Sequence, residues 1–455
     1  MARSRRVHVC RSCGAQHPTW TGRCPACQEW GSVEEVATDA SATRAPVGAA
    51  AVTPLVGLDA ERAIPSPTGF DELDRVLGGG LTPGSVTLLG GEPGVGKSTL
   101  TLQFAMAVAD QGATALLVAG EEAPSQVAVR AGRLRPAGDP IPGTLVVLDE
   151  LSVDSIVAAV VAAQPQVVVV DSVQTVRVEG IDAPPGSVSQ LKAVTEHLVA
   201  MAKRHQVSVV LIGHLTKDGT LAGPRVIEHL VDTVLSFNGD RADQIRYLRA
   251  VKHRFGPTSE VGLLTMTSAG LAPLADPSGR FLGDRRPGLP GSAVVVAMEG
   301  RRPVLVEVQA LTVDVGPNHG STTVQGLDAK RVALVSAVMG RRAAMSLARH
   351  DVFASTAGGA KVTEPAADLG LVLALASSCT DRPVPAELVA CGEIGLGGEV
   401  RSVPQLDLRL QEAYRLGFRS ALVPASAPEG PTGMRLIRIA TVGDALTHLA
   451  DAATA

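Results

Sequence analysis

Gly91-Glu92-Pro93-Gly94-Val95-Gly96-Lys97-Ser98-Thr99 fills the pattern G-x-x-x-x-G-K-[ST]. Each residue type in it answers a need of a bound triphosphate. The glycines let backbone N–H groups turn inward around phosphate oxygens, Lys97 is long enough to reach the β- and γ-phosphates, and the Ser98 hydroxyl can ligate Mg²⁺. The chemistry this allows is binding of ATP with Mg²⁺ and transfer of the γ-phosphoryl group to water. Two carboxylate positions suit the same chemistry. Four valines, Val167 to Val170, run into Asp171, which is placed to hold Mg²⁺ through water. A second apolar stretch, 113–119, runs into Gly120-Glu121-Glu122, where a carboxylate could polarise the attacking water. Glu122 is the favoured one of the two, while either could serve only as a negative charge at a helix N-terminus.

The cysteines point to a second chemistry. Cys10 and Cys13 form one C-x-x-C pair and Cys24 and Cys27 another, with ten residues between the pairs. That spacing lets two tight knuckles bring four thiolates around one tetrahedral Zn²⁺, with His8 and His17 as spectators. Trp20 and Trp30 fall in or beside this module, among Arg3, Arg5, Arg6, Arg11 and Arg23. A basic surface with aromatics could grip DNA or a protein, and tryptophans packed over a zinc knuckle would look the same in sequence. Cys379 and Cys391 are far from the others, so no disulfide framework is expected, and both read as small buried hydrophobes in a reducing compartment.

The elements that must position these groups follow from periodicity. Residues 85–90 read as an apolar strand before the glycine-rich loop and 100–110 as the helix after it. Helices are expected over 126–134, 153–163 and 188–205, and strands over 207–213 and 231–237, which together make a doubly wound parallel sheet with ligands at the strand C-termini. Two long segments leave that edge, 172–187 with Arg177 and 214–225 with Lys217 and Arg225. At 455 residues, 45% hydrophobic and 19% charged, the chain suits two or three domains rather than global disorder. Its net charge of −4 confines any nucleic-acid contact to local patches. The basic start lacks the apolar core of a secretory signal and no apolar run reaches roughly 18 residues, so a soluble, cytoplasmic protein with no membrane contact is expected.

Pro67-Thr68-Gly69-Phe70-Asp71-Glu72-Leu73-Asp74-Arg75-Val76-Leu77-Gly78-Gly79-Gly80-Leu81 resembles the leading segment of RecA-like ATPases of the RecA, KaiC and bacterial RadA (Sms) groups. The four-cysteine module, Gly213-His214-Leu215-Thr216-Lys217-Asp218-Gly219 and Lys252-His253-Arg254-Phe255-Gly256 narrow the likeness to the bacterial RadA family, a group of DNA repair and recombination ATPases. His253 stands where that family has asparagine, and Gln28 where a glycine is usual. The resemblance implies a hexameric ring that moves on single-stranded and branched DNA, extends strand-exchange intermediates beside the RecA recombinase filament, and joins the nucleoid when active. It implies that Lys252 and Arg254 reach the ATP of a neighbouring subunit, and that Arg177, Lys217 and Arg225 line a channel for DNA. Neither long segment carries an aromatic residue, so its grip would fall on phosphates. A KaiC-like signalling or scaffold ATPase, indifferent to DNA, is the alternative.

Beyond about residue 285 the chain resumes with strand patterns at 293–298 and 303–310 and a helix expected over 328–348. Val362-Thr363-Glu364-Pro365-Ala366-Ala367-Asp368-Leu369 and Gly392-Glu393-Ile394-Gly395-Leu396-Gly397-Gly398-Glu399-Val400-Arg401 are similar to the Lon protease domain. Lon proteases use a serine activated by a lysine. Here the serine position holds Ala366 and no lysine follows Lys361, so peptidase chemistry by that dyad is excluded. Ser377 and Ser378 read as helix residues. Arg331 and Arg342 project to the same side as Val338 and Met345 at about 100° per residue, so no clean basic face separates from the core face. The expected organisation is a C4 zinc finger over 1–33, a flexible linker over 34–62, a RecA-like α/β ATPase domain over 63–275 and a proteolytically inactive, Lon-like α/β domain over 285–455.

Overall fold

The computed structural model describes residues 6–10, 16–17, 19–25, 30–31, 33–37, 56, 64–136, 138–214, 226–239, 245–274, 276–316 and 320–452. The chain divides into two compact units, Met1–Ala60 and Glu61–Ala455. In the first, β1 (Arg6–Cys10), β2 (Gln16–His17) and β3 (Val33–Ala37) form an antiparallel sheet in the order β2-β1-β3. Among its described residues the buried apolar cluster is Cys10, Cys24 and Val33, a very small core.

The second unit begins with α1 (Asp71–Val76), β4 (Val86–Gly91), α2 (Lys97–Asp110), β5 (Ala115–Ala119), α3 (Pro124–Leu134), β6 (Leu145–Leu148), α4 (Val153–Ala163), β7 (Val167–Asp171), α5 (Val188–His205), β8 (Ser208–His214), α6 (Val226–Leu230) and β9 (Thr233–Asn238). These strands are parallel and lie in the order β9-β4-β8-β7-β5-β6. Alternation along them shows why the sheet is covered on both sides. Leu89, Leu117, Val169 and Ile212 point into one core with α1, α2 and α3, while Leu88, Val118, Val170 and Leu211 point into another with α4, α5 and α6. The expected parallel sheet is therefore present, but it does not end at β9. β10 (Ile245–His253), β11 (Val261–Thr267) and β12 (Gly270–Pro273) extend it antiparallel, giving nine strands.

After α7 (Pro277–Leu282) come β13 (Ser292–Glu299), β14 (Arg302–Asp314), β15 (Thr322–Gln325), α8 (Ala329–Arg342), β16 (His350–Thr356), α9 (Asp368–Thr380), β17 (Leu388–Ala390), β18 (Glu393–Ile394), β19 (Val400–Arg401), α10 (Leu406–Arg415), β20 (Ser420–Pro424), β21 (Arg435–Ile439) and α11 (Val442–Ala452). Seven of these strands form a mixed sheet in the order β15-β16-β14-β13-β17-β20-β21. Val295 and Val306 face one core with α8, α9 and α11, and Val294 and Leu305 face the other with α10. The helix expected over 328–348 stops at Arg342. Ala344 takes a left-handed φ of 54°, and the amides of Ala343 and Met345 both return to the Met339 carbonyl, which closes the last turn. An alanine in that conformation carries no sequence signal. Cys391 is buried as expected, and burial pushes its thiol up to about 11; Cys379 is only half-buried.

The ATPase sheet and the C-terminal sheet are joined within one unit. Glu72 of α1 accepts from Arg302 of β14 at 3.0 Å and from the Leu263 amide of β11 at 2.8 Å. Arg249 of β10 meets Glu299 of β13 at 2.5 Å. Among the described residues, no helix is long and apolar enough to cross a membrane.

The segments of the C-terminal sheet that the sequence likens to a protease site are filled by structural contacts. Ala366 is 2% exposed in a single 3₁₀ turn before α9, and lies in the same core as Cys391 and Leu410. Beside it Arg409, also 2% exposed, donates to Glu364 at 2.8 and 2.6 Å and to the Val296 carbonyl at 2.5 Å. Ser377 and Ser378 sit in α9, where they bind the amides of Gly291 and Thr312. Arg331 is paired with Asp368, so it adds nothing to a basic surface. Removing one partner of a buried pair leaves the other charge without compensation. Glu364→Ala is expected to lower unfolding stability by about 3–5 kcal/mol, read from the urea midpoint of the second unit.

Candidate ATP-hydrolysis site

β4 delivers the chain into the glycine-rich loop, and the loop is shaped by what surrounds it. A Cβ at Gly91 would lie 2.3 Å from the Phe237 carbonyl oxygen, so β9 passes too close for any side chain there. Gly96 has φ 110° at the start of α2, and a Cβ on it would meet Met266 Cε at 2.7 Å. Lys97 is buried, and its Nζ donates to the carbonyls of Gly91 (2.8 Å) and Glu92 (3.1 Å), which folds it over the loop. Burial pulls its pKa down, opposed by the negative charges of Asp171 and Glu121.

Asp171 ends β7 opposite Ala119 of β5, and its carbonyl accepts from the Gly120 amide at 2.7 Å. Two adjacent parallel strands thus bring Asp171 beside Gly120-Glu121-Glu122. Burial raises the Asp171 pKa, a hydrogen bond with Ser98 opposes it, Glu121 raises it, Arg130 lowers it and Glu122 raises it. Its Oδ1 is buried without a hydrogen-bond partner. A buried carboxylate oxygen left over beside a serine hydroxyl suits a hard divalent cation. Glu122 is held by Arg130 of α3. Glu121 is exposed, and acts electrostatically on both Lys97 and Asp171.

Lys252 and Arg254 lie elsewhere. Thr87 of β4 pairs with Thr233 of β9 and Gly91 with Phe237, while Lys252 and His253 of β10 pair with Val234 and Thr233. They therefore stand at the edge where β4 begins, and the loop stands where it ends, roughly 13 Å away along the strand at about 3.3 Å per residue. Lys252 Nζ donates to the carbonyls of Glu228, His229 and Val231 at 2.9, 3.3 and 2.6 Å. Burial lowers its pKa, and Arg254 adds to the effect. Arg254 pairs with buried Asp232 at 3.2 Å and keeps its side chain 53% exposed. His253 sits with Nδ1 3.0 Å from Thr233 Oγ1 and Nε2 3.1 Å from the Leu77 carbonyl. With Nε2–H donating to the carbonyl, Nδ1 accepts from the hydroxyl, so the ring is satisfied on both sides.

The segment 172–187 is fastened by Gln190, 3% exposed, whose side chain accepts from the Val178 amide and donates to the carbonyls of Val178, Ile181 and Ala183. Arg177 on it is exposed. Lys217 and Arg225 lie outside the described residues, as do Cys13 and Cys27. In the amino-terminal unit, Cys10 and Cys24 are buried, and Cys24 Sγ is 3.5 Å from His17 Nε2. Two buried thiols with almost no other core among the described residues suit a thiophilic metal such as zinc, and His17 touches that donor set rather than standing apart.

Residues outside the motifs also contribute. Arg246 of β10 is buried and donates from Nε to the Val95 carbonyl at 3.2 Å. Gln103 of α2 makes two hydrogen bonds to Leu271 of β12. Both tie the loop and its helix to the antiparallel extension. Arg130 could have been sought eight residues beyond Glu122 on the next helix, whereas Arg246 sits in an alternating strand that marks it no more than its neighbours.

Comparison with known proteins agrees with these features. A family model described as "AAA domain" matches residues 56–220, and one described as "Rubredoxin metal binding domain" matches residues 8–35. The DNA repair protein RadA of Mycobacterium tuberculosis (strain ATCC 25618 / H37Rv) is 42% identical, covering 100% of this chain and 95% of its own. That of Escherichia coli (strain K12) is 41% identical, covering 98% and 99%. Among solved structures, one ATPase domain aligns with 47% of this chain and 92% of its own, at 17% identity and a TM-score of 0.40. Its likeness to the curated relatives over nearly its whole length makes the chain a member of the RadA family of DNA repair proteins, with an ATPase domain and a zinc ribbon.

Proposed function

We propose that the chain is a DNA-dependent ATPase of recombinational repair, a hexameric ring that moves on single-stranded DNA and extends or migrates branched strand-exchange intermediates beside the RecA filament. The observation that carries this reading is the placement of Lys97 and Arg254 at opposite edges of one sheet. A chain with its phosphate loop on one edge and the half-exposed Arg254 on the other is suited to head-to-tail contact, and such contacts form a ring where the rotation between subunits closes. Within each site Lys97 reaches the β- and γ-phosphates, and Ser98 and Asp171 hold Mg²⁺. The metal supplies charge neutralisation at the β- and γ-oxygens. Glu122, the favoured carboxylate, or Glu121 beside it orients the attacking water, and the neighbour's Lys252 and Arg254 stabilise the transferring phosphoryl group. Arg177, Lys217 and Arg225 follow DNA phosphates without reading bases. The C-terminal lobe is an assembly scaffold and not a peptidase, because Ala366 supplies no nucleophile. The site of action is cytoplasmic, on the nucleoid.

The test is steady-state ATP hydrolysis with and without single-stranded DNA, at low and moderate salt, with Lys97→Ala as the blank. Stimulation that weakens as salt rises is expected. Hydrolysis indifferent to DNA would overturn the motor in favour of a KaiC-like scaffold ATPase.

A further inference from the structure

The only two tryptophans of the chain, Trp20 and Trp30, are 61% and 75% exposed. The backbone brings them together, because the Gly31 amide donates to the Gly22 carbonyl at 2.9 Å and Arg23 bridges to Trp30. A Cβ at Gly22 would lie 3.7 Å from Trp20 Cη2 and 3.9 Å from Trp30 Cζ3. The two rings therefore approach one backbone point. Trp20 is fixed by donating Nε1–H to the Val33 carbonyl at 3.0 Å, and the Arg23 guanidinium lies 5.7 Å from the centre of the Trp30 ring. Two exposed indoles on so small a unit are a feature to explain, since indole is otherwise largely buried.

Charge names the partner. Residues 1–37, which span the three strands of this unit, hold five arginines against the carboxylates of Glu29, Glu34 and Glu35, in a chain whose net charge is −4. Flat apolar faces, a guanidinium beside one of them and a local positive field match a polyanion with free aromatic faces. We propose that Trp20, Trp30 and Arg23 form a stacking platform for unpaired bases of single-stranded DNA. This deepens the motor reading and rests on it. It also supplies what the segments 172–187 and 214–225 lack, since neither contains Phe, Tyr or Trp.

Because no other tryptophan is present, intrinsic tryptophan emission of the full chain reports this surface alone. Titration with oligo(dT) is expected to quench it saturably, in the unaltered chain and in Lys97→Ala, while duplex DNA of equal length does not. Anisotropy of a labelled oligo(dT) is followed in parallel. Binding without quenching overturns the platform and leaves the motor reading intact; absence of binding overturns both. Equal quenching by duplex also overturns it. Trp30→Ala at full zinc content is expected to weaken oligo(dT) binding by roughly five- to hundredfold, and Trp30→Phe to retain most of it. Unchanged affinity in Trp30→Ala counts against the platform, and the quenching of the unaltered chain decides the matter independently of how that variant folds.

Discussion

Mixing Lys97→Ala chains with Arg254→Ala chains is expected to restore part of the ATP hydrolysis that each lacks alone. Lys97→Ala removes the buried ammonium that folds over the phosphate loop, so ATP binding and turnover are both lost in that subunit. Arg254→Ala leaves the loop untouched. Its buried partner Asp232 keeps a hydrogen bond to the Val86 amide at 3.1 Å and the attraction of Lys252, so part of its compensation remains and the variant is expected to fold, with reduced stability. ATP binding is then retained while turnover falls by about 10³–10⁵, the worth of a trans cation where one has been dissected. In a mixed ring, an Arg254→Ala subunit supplies an intact loop to a Lys97→Ala neighbour that supplies an intact Arg254. With random mixing, about a quarter of head-to-tail interfaces combine both intact halves. Recovered hydrolysis near that fraction supports shared sites. None, in complexes shown to contain both chains, would remove the trans role and with it the main support for the ring.

The parts of this site that could be read from the sequence are those encoded locally. The nine residues from Gly91 to Thr99, the valine run into Asp171 and the turn at Glu121 and Glu122 each sit on one strand end, where alternating burial and a single polar residue leave a clear pattern. What could not be read depends on chains meeting across the fold. Arg246 reaches Val95 from 151 residues away, and Glu72 meets Arg302 across 230. Neither spacing leaves a mark in a window of a dozen residues. The edge occupied by Lys252 and Arg254 follows from strand order and register, which the alternation of their own strand does not contain. The exposure of Trp20 and Trp30 was equally hidden, because an indole over a zinc knuckle and an indole facing solvent have the same neighbours in sequence.

Stripping zinc from the full chain is expected to unfold the amino-terminal unit and leave basal ATP hydrolysis intact. The buried apolar core described in that unit is Cys10, Cys24 and Val33, and two of the three are the proposed ligands themselves. Burial of this size cannot offset the chain entropy of several tens of residues, at about 1.5 kcal/mol per ordered residue. A structural zinc, with an apparent worth of about 10–16 kcal/mol in finger peptides, is what could. The ATPase sheet has two extensive cores of its own, so its folding is expected without the metal. Metal analysis should give about one zinc per chain. Chelation should shift tryptophan emission, since loss of the turn at Gly22 and of the Trp20 to Val33 bond frees both indoles, while the melting of the second unit stays in place. A zinc-free chain with unchanged emission would mean that the four cysteines do not hold the module together, and would leave the placement of Trp20 and Trp30 without a cause.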